Sequence, residues 1–183
     1  HFPPDSGIGF YTRNLEKYRD KLAAKPGLYG QVRLTYLWPP KYTEIAPAGS
    51  ADRVLTFRNV HNWAKAGKTK AYFDAFYKAL RPGGILGVVE HRAPPGRSLE
   101  QQIESGYMTE EYVIGMAEQA GFRLVETSEI NANPKDDASH PEGVWTLPPT
   151  LRLGEKKREQ YKAIGESDRM TLKFVKPGQP EKL

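Results

Sequence analysis

The chain contains no cysteine. That excludes disulfides, thiolate metal centres and a cysteine nucleophile, while saying little about compartment. No apolar run approaches the roughly 18 residues of a membrane-spanning helix, and no secretory signal is visible. The first residue is His1 rather than methionine, so the reading leaves localisation open. Nucleic-acid signatures are also missing: there is no zinc-finger spacing, no RNP-type aromatic strand and no concentrated basic arm. The net charge of +5 and pI near 9.3 come from basic residues interleaved with acids, as in Arg13, Glu16, Lys17, Arg19, Asp20 and Lys21, or Glu155, Lys156, Lys157, Arg158 and Glu159. Such alternation describes solvated helix faces and at most a weak attraction for anions. No G-x-S-x-G elbow surrounds Ser167, which argues against a serine nucleophile there.

What is present is enough for one domain with a real core: 183 residues, 38% hydrophobic and 27% charged. The most informative stretch is 51–93. A short apolar run at 51–57 ends in Arg58-Asn59-Val60-His61-Asn62-Trp63, an amphipathic helix over 68–80 follows, and a second apolar run at 84–89 ends in Glu90-His91-Arg92. This is the pattern of a βαβ unit. Both strands deliver polar residues to their carboxyl ends, the edge at which open parallel sheets bind ligands. Between helix and second strand, Pro82 stops the helix, and Gly83 and Gly84 are expected to permit the positive φ values of the turn.

Around that unit the periodicity predicts a helix over 10–25 with Tyr11, Leu15, Tyr18 and Leu22 on one stripe, a strand over 31–38, helices at 98–104 and 109–120, and strands at 122–130 and 170–176. The 68–80 helix is expected to bury Phe73, Phe76, Tyr77 and Leu80. Thr109 caps its helix, Glu110 and Glu111 sit in the first turn, and Gly121 ends it. Between the last two strands lies a long insertion, 131–168, with Trp145 and a short helix around 155–164. Segments of that length inside a compact domain are usually lids or binding loops, so it is expected to fold over the cleft.

The turn Leu80-Arg81-Pro82-Gly83-Gly84, following an acid-led strand, resembles the corresponding turn of class I S-adenosylmethionine-dependent methyltransferases. With His91-Arg92-Ala93-Pro94-Pro95-Gly96, Asn131 to Asp136, Glu142 to Pro149 and Gly165 to Met170, nearly the whole chain is similar to one bacterial family of predicted methyltransferases of undefined substrate. The resemblance implies an α/β, Rossmann-like, mostly parallel sheet with flanking helices and an antiparallel last strand, in family order 3-2-1-4-5-7-6. It implies S-adenosylmethionine as cofactor and a small-molecule acceptor as partner. The chain departs from the family in lacking a glycine-rich loop after strand one and an acid ending strand two. Gly7-Ile8-Gly9 has neither a preceding strand nor a third glycine, and reads as a loop or helix entry. The expectation is a single, N-terminally incomplete methyltransferase-like domain over 1–183 that lacks the first two strands, from the bacterial cytoplasm or, if a signal was removed, the periplasm. Its open sheet edge would then favour rearrangement, poor solubility or a homodimer.

By carry-over from the family's architecture, His61 would sit near the reactive methyl group and is the best candidate base, with Asn62 and His91 beside it as catalytic candidates. A structural reading makes His61 a cap of the next helix. Trp38, Arg58, Asn59 and Val60 are the donor-binding candidates. Trp38 either stacks on adenine or packs at its strand end, and Arg58 pairs either with a ligand carboxylate or with Glu90. Trp63, Glu90, Arg92 and Trp145 are the substrate-side candidates, Trp145 as a wall. His61, His91 and Glu90, with His140 as a conceivable third nitrogen, match metal-ligand types, but no metal is assigned. Glu166, Ser167, Asp168 and Arg169 are read as bracing the insertion. A catalytically inactive module for binding or assembly, without a donor site, is the alternative function.

Overall fold

A computed structural model describes residues 3, 7 and 9–178. Four strands, β1 (Ala51–Phe57), β2 (Leu80–His91), β3 (Arg123–Ser128) and β4 (Arg169–Val175), form one sheet in the order β1-β2-β4-β3. β1 runs parallel to β2, and β4 is antiparallel to both β2 and β3. Three strands therefore point one way and the last-entered strand the other. This is the order 4-5-7-6 expected for the second half of the fold.

The helices are α1 (Gly9–Ala23), α2 (Pro26–Tyr29), α3 (Val60–Lys65), α4 (Thr69–Ala79), α5 (Leu99–Ser105), α6 (Glu110–Gln119) and α7 (Arg158–Ile164), with a 3₁₀ turn at Gly143–Thr146. Along β2 burial alternates: Gly84, Leu86, Val88 and Glu90 are buried and Ile85, Gly87 and Val89 are half-buried. Met170, Leu172 and Phe174 of β4 join the buried face, against Tyr72, Phe73 and Phe76 of α4 and Val113 and Ala117 of α6. The period-2 pattern of the strands thus meets the apolar stripes of two helices. A hydrogen bond of 2.9 Å between the Thr69 and Tyr112 hydroxyls ties those helices together. The caps are local sequence features. Thr109 Oγ1 accepts from the Tyr112 N–H, and Ser98 with Gln101 forms a reciprocal capping box on α5.

Several expectations need correction. No strand forms over 31–38; only an isolated bridge joins Trp38 to Tyr42. A strand needs a neighbour to accept its backbone bonds, and the strands that would flank this one have no counterpart among the described residues. Pro39 and Pro40 supply no N–H to continue a ladder. Of the two turn glycines only Gly83 has positive φ, at 75°. Gly84 is instead required for close packing, since a Cβ there would lie 2.8 Å from the Arg81 carbonyl oxygen. On α1 only Leu15 of the expected stripe is buried, and Tyr18 is largely exposed. Tyr72, not Tyr77, completes the buried face of α4. Gly9 opens α1, and Ile8 of the early glycine pair lies outside the described residues.

Candidate active site

The carboxyl ends of β1 and β2 lie side by side because the parallel register pairs Phe57 with Val89. Beyond Phe57 the chain turns sharply. Arg58 takes a left-handed conformation, φ 55°, while its N–H remains bonded to the Val89 carbonyl at 2.7 Å. Asn59 then becomes the N-cap of α3, its amide folded back onto the Phe57 carbonyl at 3.2 Å. The turn orients α3 so that its first N–H groups face the end of β2.

They meet Glu90, which is wholly buried. Its Oε2 accepts from the N–H groups of Val60 at 2.5 Å and His61 at 3.4 Å. Its Oε1 accepts from the N–H of His91 at 2.9 Å and from Nδ1 of His61 at 3.0 Å. A buried carboxylate at a helix N-terminus is favoured by the exposed N–H groups and by the peptide dipoles behind them. Backbone donors on both oxygens favour the carboxylate form of Glu90, and facing a carboxylate Nδ1 of His61 is the ring nitrogen that donates. Nε2 is left with a lone pair. It has no hydrogen-bond partner among the described residues, and the ring lines a cleft of about 360 Å³.

His91, 7% exposed, forms the adjoining wall, its ring centroid 5.4 Å from that of His61. Nδ1 of His91 is 2.5 Å from the Ser167 hydroxyl. Burial, followed by the neighbouring His61, Arg169 and Arg58, pushes the His91 pKa down to about 3, so the ring is neutral near pH 7. The opposite wall comes from the insertion: Val144, Trp145, Pro148, Pro149 and Thr150 line the same cleft, and Trp145 meets His61 edge-on with centroids 6.0 Å apart.

Seating of that wall depends on two glycines. Gly143, φ 55°, lies so close to the end of α5 that a Cβ would fall 2.1 Å from the Ser105 carbonyl oxygen, and a Cβ on Gly106 would press on Val144 and Trp145. Behind it, Asp136 accepts from the Tyr107 hydroxyl, the Ala138 and Asp168 N–H groups and Nε2 of His140. Asn133 donates to the Ile164 and Glu166 carbonyls. The late motifs thus include a hydrogen-bonded brace.

Sequence-derived candidates divide accordingly. His61, His91, Arg58, Asn59 and Trp145 converge on the cleft. Glu90 sits beneath it and contacts His61, whereas Arg58 does not pair with Glu90. Val60 contributes a backbone N–H, while its side chain is in the core. Asn62 is exposed on the outer side of α3. Trp63 is stacked on Tyr72 at 4.3 Å in the core rather than facing the cleft. Trp38 lies with Lys68 over its ring, and neither residue lines the cleft. Arg92 points into a network with Asp168, Glu129 and Glu110. Arg169, read as a brace, lines the cleft. The antiparallel register that pairs it with His91 was the missing signal.

Ligand atoms of His61, Glu90 and His91 lie within 4.8 Å of one another, as do those of Asp136, Asp137 and His140. Neither set fits a metal ion. Both oxygens of Glu90 are already occupied by two donors each, and Asp136 accepts four bonds. Both are acceptor hubs for hydrogen bonds.

No protein-family model and no curated protein matches the chain. Solved structures do. The cyclase SpnF superposes with a TM-score of 0.54 at 16% identity, covering 86% of this chain and 61% of that one. A putative sarcosine dimethylglycine methyltransferase from Galdieria sulphuraria gives 0.57 at 13%, covering 90% and 66%. A protein from Bordetella parapertussis described as possibly exported gives 0.51 at 15%, covering 89% and 51%. The chain therefore has a class I methyltransferase-like fold, and spans about two thirds or less of these relatives' length.

Proposed function

We propose that this chain carries the acceptor side of a methyltransferase, which moves the methyl group of S-adenosylmethionine to a small molecule bound between the carboxyl ends of β1 and β2 and the 144–150 segment. The observation that carries the reading is the Glu90–His61 pair. It holds an imidazole in one tautomer with its basic nitrogen toward a cleft, at the strand ends where this fold binds ligands.

Donor fit is partial. The described residues offer the strand-end surface of Phe57, Arg58 and Asn59, but beside β1 they present neither a glycine-rich loop nor an acid for the ribose hydroxyls. They suit the reacting end of S-adenosylmethionine rather than its nucleoside. The donor supplies an electrophilic sulfonium methyl group, and the remaining work falls to the chain. Trp145, Pro148 and Pro149 wall the cleft on the side facing the two histidines. An acceptor O–H or N–H facing His61 gives its proton to Nε2 as its heteroatom takes the methyl group, while the C–S bond breaks and its electron pair stays on the departing thioether sulfur. The resulting imidazolium is stabilised through Nδ1–H by Glu90.

Fold alone does not settle the reaction, since the superposed proteins include a cyclase as well as a putative methyltransferase. The incomplete donor surface also favours a second reading, a binding or assembly module without catalysis. Radiolabelled S-adenosylmethionine with a panel of phenols, carboxylates, amines and thiols tests the choice, using the full protein. Acceptor-dependent transfer of label supports the enzyme. Absence of both transfer and donor binding supports the module.

A further inference from the structure

The cleft has a charge bias that methyl transfer does not itself require. Arg58 and Arg169 line it, and no aspartate or glutamate does. The nearby acids are already engaged: Glu90 by its four donors, and Glu166, half exposed, by Nη2 of Arg169. Nε of Arg169 is nonetheless buried without a hydrogen-bond partner among the described residues. A buried guanidinium N–H left unpaired is costly, and an oxyanion in the cleft would satisfy it. Arg58 is exposed and lines the cleft, with no ion pair among the described residues, at a left-handed backbone position of φ 55°. Both arginines line the cleft together with His91 and help to lower its pKa.

Beside the polar Asn59, His61, His91 and Thr150, the cleft offers apolar surface from Phe57, Val144, Trp145, Pro148 and Pro149, the Trp145 ring being its most extended flat face. We infer that the acceptor is a small aromatic oxyanion, whose carboxylate or phosphate group is bound by Arg58 and Arg169 while its O–H or N–H faces Nε2 of His61. The methyl-accepting half of this statement rests on the function proposed above. The anion-binding half does not.

Calorimetry without any methyl donor tests it, with 4-hydroxybenzoate, 4-hydroxyphenyl phosphate and the neutral 4-hydroxybenzamide as probes. At least one anion should bind about tenfold or more tightly than the amide, as expected for a charge-assisted contact, and the tighter of the two identifies the anionic group. Arg58→Gln and Arg169→Gln should each remove most of that preference and leave amide binding unchanged, whereas Arg123→Gln, on exposed β3, should have no effect. Arg58 is exposed, so its variant decides the matter even if Arg169→Gln folds poorly. Equal affinity for anions and amide, no anion binding, or a preference that survives Arg58→Gln would overturn the inference. Anion binding without label transfer from S-adenosylmethionine would leave the inference standing and count against methyl transfer; transfer confined to neutral acceptors would do the reverse.

Discussion

His61 and His91 are adjacent histidines given different properties by their surroundings. His61 has a carboxylate on Nδ1, whereas His91 has a hydroxyl there and two guanidinium groups nearby. An NMR titration should therefore find His91 neutral well below pH 6, with its pKa near 3. Because that folded value lies below the ordinary 6.5, the unfolded chain takes up a proton first as pH falls. Stability should be fully present above pH 6.5 and decline between about 6.5 and 3, by about 1.4 kcal/mol per pH unit from this one group. His91→Gln should flatten that part of the profile. Glu90→Gln puts an NH2 donor in place of one oxygen, facing either the Val60 and His61 N–H groups or the His91 N–H and Nδ1 of His61, and should cost about 1–3 kcal/mol in denaturant unfolding. The sequence pointed to Arg58, Asn59, His61 and His91 because residues following parallel strands face the ligand edge. It did not place Asn62 and Trp63, since the six-residue helix α3 was not foreseen. Helical rotation turns Trp63 into the core and Asn62 out to solvent.

Strand and helix periods made β1, α4, α6 and β4 legible almost to the residue; α4, α6 and β4 each present an apolar face to the same core, whereas β1 was legible from its apolar run although only Thr56 is buried and Ala51 and Val54 are partly so. The 31–38 segment has an equally strand-like pattern but no neighbouring ladder, and pattern cannot supply a partner. The insertion is a different case: its motifs were visible, but not which of them brace and which face the cleft. Its seating on α5 is testable at Gly143. Gly143→Ala adds a Cβ into the Ser105 carbonyl at a left-handed backbone position, so it should destabilise the protein by about 1–3 kcal/mol. Trp145 should become more accessible to a fluorescence quencher at the same time. An unchanged melting temperature and quenching constant would show that 143–150 is not held by this contact.

At the scale of the whole molecule, β1 pairs on one side only among the described residues, and Leu55 and Phe57 are more than half exposed. An unpaired edge beside apolar side chains invites strand addition. The 183-residue chain by itself should therefore self-associate in sedimentation velocity at micromolar concentration, and Leu55→Lys should reduce the association. A monodisperse monomer at all concentrations would mean that the edge is adequately protected as it stands.

The most direct test of the assigned chemistry is the single-turnover rate of methyl transfer at saturating S-adenosylmethionine and acceptor, measured for the full protein and for His61→Ala. A base held by Glu90 against the acceptor proton predicts a fall of about a hundredfold or more, with donor affinity little changed and no recovery in His61→Asn, which retains hydrogen bonding but not basicity. A His61→Ala rate equal to that of the unmodified protein would contradict the assignment of His61 as the base.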